Sequence, residues 1–402
     1  MELGELSERA RMDALPSGWQ SYTIGQTLTL INGLAFKPSE WKAHGTPIVR
    51  IQNLNDDDSS YNYCDDPISD KYHIRAGDIL FAWSGTTGTS FGARIWTGPN
   101  AVLNQHIFKV VPDKTKLTPY YSFLVLQNVQ KEIERRAHGF KSSFVHVKKS
   151  DLTRVPLTIP PIPEQRAIVE ALSEIDRLIA ELERLMKKKG AIKQAMMQRL
   201  FGDWSNGAPR ATIGSVTSWL SGGTPDRSNT GYWDGTIPWI SATTLKRSEV
   251  ADSDQKVSLL GVRAGSKMAP LGSTLVLVRG SALHSEIRAS LVIAPVCFNQ
   301  DVKALIPSSA VVPKFLTYSI HGNADRLLRL VTSAGNTAGV LDTPVLKSLS
   351  IWLPDRKEQE RVVAVLDDVM EDLDVTVEKL MKARYVKQGM MQQLLTGRIR
   401  LV

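Results

Sequence analysis

The sequence predicts an α+β protein built twice: two β-rich globular domains separated by two long helices that form an antiparallel coiled coil, with a pseudo-two-fold internal repeat. Three observations predict this. Short stretches of matching sequence recur in the same order in each half. Each half holds short β-rich runs broken by Gly, Pro, Asn and Ser. Each half also closes on a long run whose apolar residues alternate at spacings of four and three.

A duplicated unit constrains the structure of both its copies. Glu164-Gln165 matches Glu358-Gln359, and Lys193-Gln194 with Met196-Met197-Gln198 matches Lys387-Gln388 with Met390-Met391-Gln392. Upstream, Asn104-Gln105 matches Asn299-Gln300, Pro119 matches Pro313, Gly45-Thr46-Pro47 resembles Gly235-Thr236-Ile237-Pro238, and Thr23-Ile24-Gly25 matches Thr212-Ile213-Gly214. Matches kept in one order at a near-constant offset are a duplication rather than coincidence.

Within each copy the globular part reads as strands at 46–51, 77–83 and 106–111 in the first, and 237–242, 273–278 and 302–307 in the second. A helix is expected to open at Thr118-Pro119 and close near Gly139, because Pro suits the first helical position and Gly the residue past the end. Its counterpart is expected to open at Pro313 and close near Gly335. The long helices follow Pro160, Pro161 and Pro163, and Pro354. Ile168, Leu172, Ile175, Ile179, Leu182 and Met186 form a seam on the first; Val362, Leu366, Val369, Leu373 and Leu380 keep the register on the second, with Thr376 a polar interruption. A helix from Glu164 to Leu200 would run about 55 Å. Two similar stripes bury each other most simply, and the intervening globular domain makes antiparallel packing easy. The expected organisation is an N-terminal segment 1–16, domains at 17–160 and 205–353, and conserved helices at 161–204 and 354–402.

Composition narrows the function. The chain has 402 residues, a net charge of +8 and 42% hydrophobic residues, enough to bury sizeable cores and basic enough to admit nucleic acid or an acidic partner. Cys64 and Cys297 have no metal-type spacing, the first residues do not form a signal peptide, and no apolar run reaches the ~18 residues that span a bilayer. A cytoplasmic location is expected. A phosphate-binding G-x-x-x-x-G-K-[ST] loop, an adenine-methyltransferase N/D-P-P-Y/F motif and H-E-x-x-H do not occur. His44, His73, His106 and His321 are scattered without ligand spacing. Pro225-Asp226 with Asp254-Gln255-Lys256 fits a loose metal-nuclease pattern, in which carboxylates hold Mg²⁺, but the first copy has no equivalent. Besides that nuclease, a coiled-coil scaffold without DNA readout is the other reading the residues leave open.

The order of domain, P-x-x-E-Q helix ending in K-Q-x-M-M-Q-x-L, second domain and second such helix resembles the specificity subunit of type I restriction-modification systems. Residues 221–241, with Gly222-Gly223-Thr224-Pro225 and Ile237-Pro238-Trp239, are similar to the opening of that family's target recognition domains. Residues 18–34 followed by 45–54 are a weaker version without the Gly-Gly-Thr-Pro run. The resemblance covers essentially the whole chain. It implies a non-catalytic chain in which each recognition domain reads half of a bipartite, asymmetric double-stranded DNA target. It also implies that the helices space the domains and dock two methyltransferase (modification) subunits, which methylate adenine, and that a restriction subunit joins them. S-adenosylmethionine, Mg and ATP would belong to those partners, with no cofactor or metal on this chain.

A bipartite reader needs cations for phosphates, side chains for base edges and a rigid spacer. In the first domain Lys37, Arg50, Lys141, Lys148 and Lys149 are phosphate candidates; in the second, Arg227, Lys246, Arg279 and Arg288 are. Arg pairs with guanine and Asn or Gln with adenine, so Gln52, Asn53, His146, Arg279 and Asn336 are candidate base readers. The loops Ser84–Gly88, with Thr86, and Arg279–His284, with Ser281, have glycines and hydroxyls that permit close backbone approach to phosphate. Lys187-Lys188-Lys189 reads as a solvated helix face or a contact to partner or spacer DNA, and Trp233 and Trp239 as packing residues.

Overall fold

The computed structural model describes residues 15–401 apart from Asp57, Asp66, 140–143, 203–207 and 335–337. The chain divides into two compact units, Met1–Glu181 with Leu380–Val402, and Leu182–Lys379. Both long helices, Ile162–Phe201 and Arg356–Leu394, cross the division, so each unit holds part of each.

In the first unit an antiparallel sheet runs in the order Leu28–Asn32, Ile107–Pro112, Ile79–Ala82, Gly92–Ile95. A second sheet runs Asn62–Cys64, Thr46–Val49, Ala101–Leu103, His73–Ile74, with its central pair parallel. The all-apolar run Ile79–Ala82 is explained by its place between two cores. Side chains alternate faces along a strand. Ile79 and Phe81 join the core around the helix Pro119–Gly139, whereas Leu80 and Ala82 join the core of Val49, Ile74 and Leu103. That helix opens on Pro119 as expected and buries Tyr121, Leu124, Val125, Val129 and Ile133 along one face.

The second unit repeats the plan. Thr217–Ser221, Val302–Pro307, Thr274–Leu277 and Ala289–Val292 take the order of the first sheet, with Glu249–Val250 added at its edge. Lys256–Val257, Ile237–Ile240, Val296–Phe298 and Met268–Ala269 take the order of the second, again with a parallel central pair. The entry strand pairs with the strand leading into a long helix in both units, Gln20–Thr23 with Pro156–Ile159 and Arg210–Thr212 with Ser350–Trp352.

The matched glutamines have the same job in both copies. Gln165 Oε1 accepts from the Thr118 amide at 2.9 Å, and its Nε2 donates to the carbonyls of Lys116 at 2.7 Å and Pro160 at 3.0 Å. Gln359 Oε1 accepts from the Val312 amide at 2.8 Å, and its Nε2 donates to Ala310 at 3.0 Å and Pro354 at 2.9 Å. Each staples a long helix to the turn before its domain's own helix. Gln165→Leu or Gln359→Leu strands one amide and two carbonyls in a buried place, so each should cost about 3 kcal/mol. Thermal unfolding of the two single variants checks this, and equal losses are expected because the bonds are equivalent.

Within each unit the long helices run antiparallel. In the first, Arg400 pairs with buried Glu164 at 2.5 Å and Lys387 with Asp176 at 2.5 Å, so advance along one partner is retreat along the other. Glu164 also accepts from the Trp19 indole at 3.0 Å. Ile168 and Leu172 are fully buried in one core with Met391, Leu394 and Leu395. In the second, Met197 and Phe201 share a core with Val362 and Leu366, while Lys189 reaches Asp372. Leu182 and Leu380 are buried; Ile175, Ile179, Met186, Val369 and Leu373 are half-buried.

Two expectations need correction. Lys189 is not part of a solvated face, although Lys187 and Lys188 are exposed. Its Nζ lies 2.7 Å from Asp372 and 2.9 Å from the buried Thr376 hydroxyl, so the polar interruption in one seam receives a cation from the other helix. The helix from Pro313 does not reach Gly335; it ends at Gly322, and a separate short helix, Ala324–Leu328, follows. Gly322 lies against Phe201, where a Cβ would stand 2.5 Å from the Phe201 Cβ, and Asn323 turns its Nδ2 back to the Ser319 carbonyl at 2.8 Å. Beyond it, β-branched Thr332 opens a strand, Thr332–Ala334, that pairs with Ala338–Val340.

Candidate nucleic-acid interface

In the first unit the candidate loops gather at the end of the buried strand Ile79–Ala82. Ser84–Thr86 leaves that strand and pairs with Phe144–His146, His146 lying opposite Ser84. Trp83 anchors the junction. Its ring stacks on Phe108 at 5.9 Å and meets His146 edge-on at 4.8 Å and His106 at 5.2 Å, and its indole donates to the Gln105 carbonyl at 3.1 Å. His146, Gln105, Thr86 and Phe144 are exposed, whereas Ser84 is buried. His106 Nδ1 is buried without a hydrogen-bond partner among the described residues. Gln105, His106 and Phe144 therefore join the candidate surface; the repeated Asn-Gln pair marked Gln105, and no motif singled out His106 or Phe144. Gly85 is required here, because a Cβ would stand 2.6 Å from Ser90 Oγ, whose hydroxyl accepts from the Thr86 amide.

The other first-unit candidates divide. Lys37, Lys148 and Lys149 are exposed; Lys148 immediately precedes the short helix Lys149–Thr153, with no side-chain capping bond to it. Gln52 is exposed and accepts from Arg50 Nη2 at 3.0 Å. Asn53 is not available to a base edge. It is 3% exposed, accepts from the Arg50 amide at 3.0 Å, and spends its Nδ2 on Ser59 and the Ser60 carbonyl. Its work is to pin a 3-10 turn. Lys141 lies outside the described residues.

In the second unit the matching loop leaves the buried strand Thr274–Leu277. Arg279-Gly280 pairs with Ala338–Val340, and Arg279 and Ser281 are exposed. The Val278 and Arg279 amides both donate to the Asp301 carbonyl, which fixes where the loop departs. Gly280 has φ of +152°, a conformation other residues avoid. Lys246 is exposed on a separate turn. Arg288 is committed elsewhere: its guanidinium holds Glu286 and donates to the Ala242 carbonyl. Asn336 lies outside the described residues.

The loops thus bring cations, imidazoles and amides to the ends of strands that are buried on every face, a rigid mounting for side chains that must meet a ligand in fixed register. The metal-nuclease pattern does not gather into such a group. Asp226 accepts from the Ser228 amide and hydroxyl, bonds that hold its carboxyl below the usual range, and Lys256 pairs with Asp252. Among the described residues no three His, Cys, Asp or Glu side chains could share a metal ion. No helix there is long and apolar enough to cross a membrane.

A family model described as the type I restriction modification DNA specificity domain matches residues 16–194 and again 211–382. The chain is 28% identical over 221 residues to the EcoR124I/EcoR124II specificity subunit of Escherichia coli, covering 53% of this chain and 55% of that one. The match thus spans about half of that relative's length. It is 24% identical over 422 residues to a putative type I restriction enzyme MjaX specificity subunit of Methanocaldococcus jannaschii, covering 98% of this chain and 96% of the relative. In fold it is similar to a chain from a structural study of complex assembly and conformational transition of the type I R-M system, with TM-score 0.63, 19% identity, 96% of this chain and 100% of that one covered. It is also similar to the type I restriction-modification S subunit from M. genitalium, with TM-score 0.54, 15% identity and coverage of 96% and 97%. Both sequence relatives are named as specificity subunits of type I restriction enzymes, the second as a putative one. The chain belongs to the type I restriction-modification DNA specificity family and carries the family's domain twice.

Proposed function

We propose that this chain reads a bipartite, asymmetric duplex target and positions S-adenosylmethionine-dependent adenine methyltransferase subunits on it, with a restriction subunit completing the complex in the cytoplasm. Residues 17–160 and 205–353 are the two readers; 161–204 and 354–402 are the spacer that docks two modification subunits. The observation that carries this reading is the duplicated plan with diverged loops. The glutamine staples and sheet orders agree between copies, whereas the loops at 84–88 and 279–284 share a glycine and a hydroxyl but differ in charge and side-chain chemistry, Arg279 and His284 having no counterpart in the first. Identical frames with different loops suit identical partners and two different half-sites.

On this reading Lys37, Arg50, Lys148, Arg227 and Lys246 face the backbone. Gln52, His146 and Arg279 serve readout, Ser84, Thr86 and Ser281 shape the two loops for close approach of a phosphate, and Lys141 is a further phosphate contact and Asn336 a further base reader on this reading. Non-covalent binding through phosphates weakens steeply with salt because counterions are released. The chain with its modification subunits should bind duplex DNA with a steep negative dependence on salt, while the chain alone with DNA, Mg²⁺ and S-adenosylmethionine neither cleaves nor methylates. Absence of DNA binding in the presence of the modification subunits would leave a protein scaffold, and reaction by the isolated chain would make it an enzyme.

A further inference from the structure

We infer that each recognition domain holds one pre-set arginine, Arg50 in the first and Arg227 in the second, as a socket for a DNA phosphate rather than a base. The inference rests on the DNA-reading function proposed above. It begins from two tryptophans. Trp41 and Trp233 each precede the Gly-Thr that opens the equivalent strand, Thr46–Val49 and Ile237–Ile240. A guanidinium covers each indole: Arg50 Cζ lies 4.9 Å from the Trp41 ring centre, and Arg227 Cζ lies 4.4 Å from Trp233 and 5.2 Å from Trp239.

The second partner is also equivalent. Strand Thr46–Val49 pairs Ile48 with Asn62 and, on its other side, with Val102. Strand Ile237–Ile240 pairs Pro238 with Lys256, which brings Trp239 beside Gln255, and pairs Trp239 with Cys297 on its other side. Asn62 and Gln255 therefore hold the same place. Arg50 Nη1 donates to Asn62 Oδ1 at 2.6 Å, and Arg227 Nη2 to Gln255 Oε1 at 3.3 Å. Yet the two arginines come from different parts of the chain. Arg50 follows the strand; Arg227 lies in the loop before the tryptophan.

A guanidinium has been brought to one place by two routes. What is common to the copies is the group, not the residue position, which a merely inherited packing contact does not explain. Two readers of different half-sites share only the ligand that does not vary with sequence, the phosphodiester backbone. The chemistry fits. Stacking on indole occupies the guanidinium face; at the edge Arg50 gives one N–H of Nη1 to Asn62 and one of Nη2 to Gln52, and a guanidinium's five N–H groups leave further donors for a phosphate, while holding the side chain beforehand reduces the ordering cost of binding. Arg50 is half-buried and Arg227 exposed, so both edges can be reached.

The test uses the chain bound to its modification subunits, titrated with a duplex carrying its methylated target and with a scrambled duplex over a range of salt. Arg50→Ala and Arg227→Ala should each weaken binding to both duplexes roughly tenfold and flatten the log affinity against log salt slope by about one. The double variant should flatten it by about two, and Arg227→Lys should keep most of the slope. The methylated motif should stay the same. A folded variant, judged by unchanged thermal unfolding, that keeps the wild-type slope overturns the inference. So does a variant that changes the preferred base in one half-site, because the arginine then reads guanine. If Arg227→Ala does not fold, Arg50→Ala decides alone. Wild-type complex that shows no salt-dependent DNA binding would instead remove the function on which the inference rests.

Discussion

Inserting one seven-residue repeat into each long helix should lengthen the unread spacer of the target by about three base pairs and leave both half-sites unchanged. Seven residues keep the seam in register, since its apolar positions recur every three and four residues, and add about 10.5 Å of helix. B-DNA rises about 3.4 Å per base pair, which converts that length to about three. The insertion must be made in both helices. In one alone it would displace contacts such as Lys189 with Asp372 or Lys387 with Asp176 and cost stability rather than move a reader. The spacer is measured from the methylation pattern of cells expressing the variant with its modification subunits. Unchanged spacing in a folded double insertion would mean that the helices do not set it.

Replacing residues 207–345 by the corresponding segment of another family member should change one half-site completely and leave the other, and the spacer, as they were. The physical reason is local ownership of structure. The second unit has its own sheets and its own hydrophobic core, and the staple to the second long helix uses the Gln359 side chain with the backbone of Ala310, Val312 and Pro354. A replacement carrying the equivalent backbone turn can meet the same glutamine. A change in both half-sites would show that the two readers are coupled.

Much of this fold was legible in the sequence because its rules are periodic. The seam from Ile168 to Leu182 shows in spacing alone, and the Pro119 helix opens where its proline says. The Glu-Gln and Asn-Gln pairs were visible as repeats, but their roles were not: which backbone groups Gln165 satisfies depends on neighbours 47 and 49 positions away. Local propensity likewise extended the Pro313 helix too far, because the packing of Phe201 on Gly322 is a tertiary fact. The candidate site was less legible. Chemistry alone made Asn53 a base reader, and only the structure shows its amide spent on Ser59 and Ser60. Arg50 and Arg227 do not align in the sequence, yet stack on equivalent tryptophans. A shared place reached by different chain positions leaves no linear signature.

The most direct measurement is the map of modified adenines in a host genome with and without this chain. A split motif with a fixed unread spacer, present only when the chain is expressed with its modification subunits, is the predicted result. A continuous motif, or a pattern that persists without the chain, would contradict a bipartite reader.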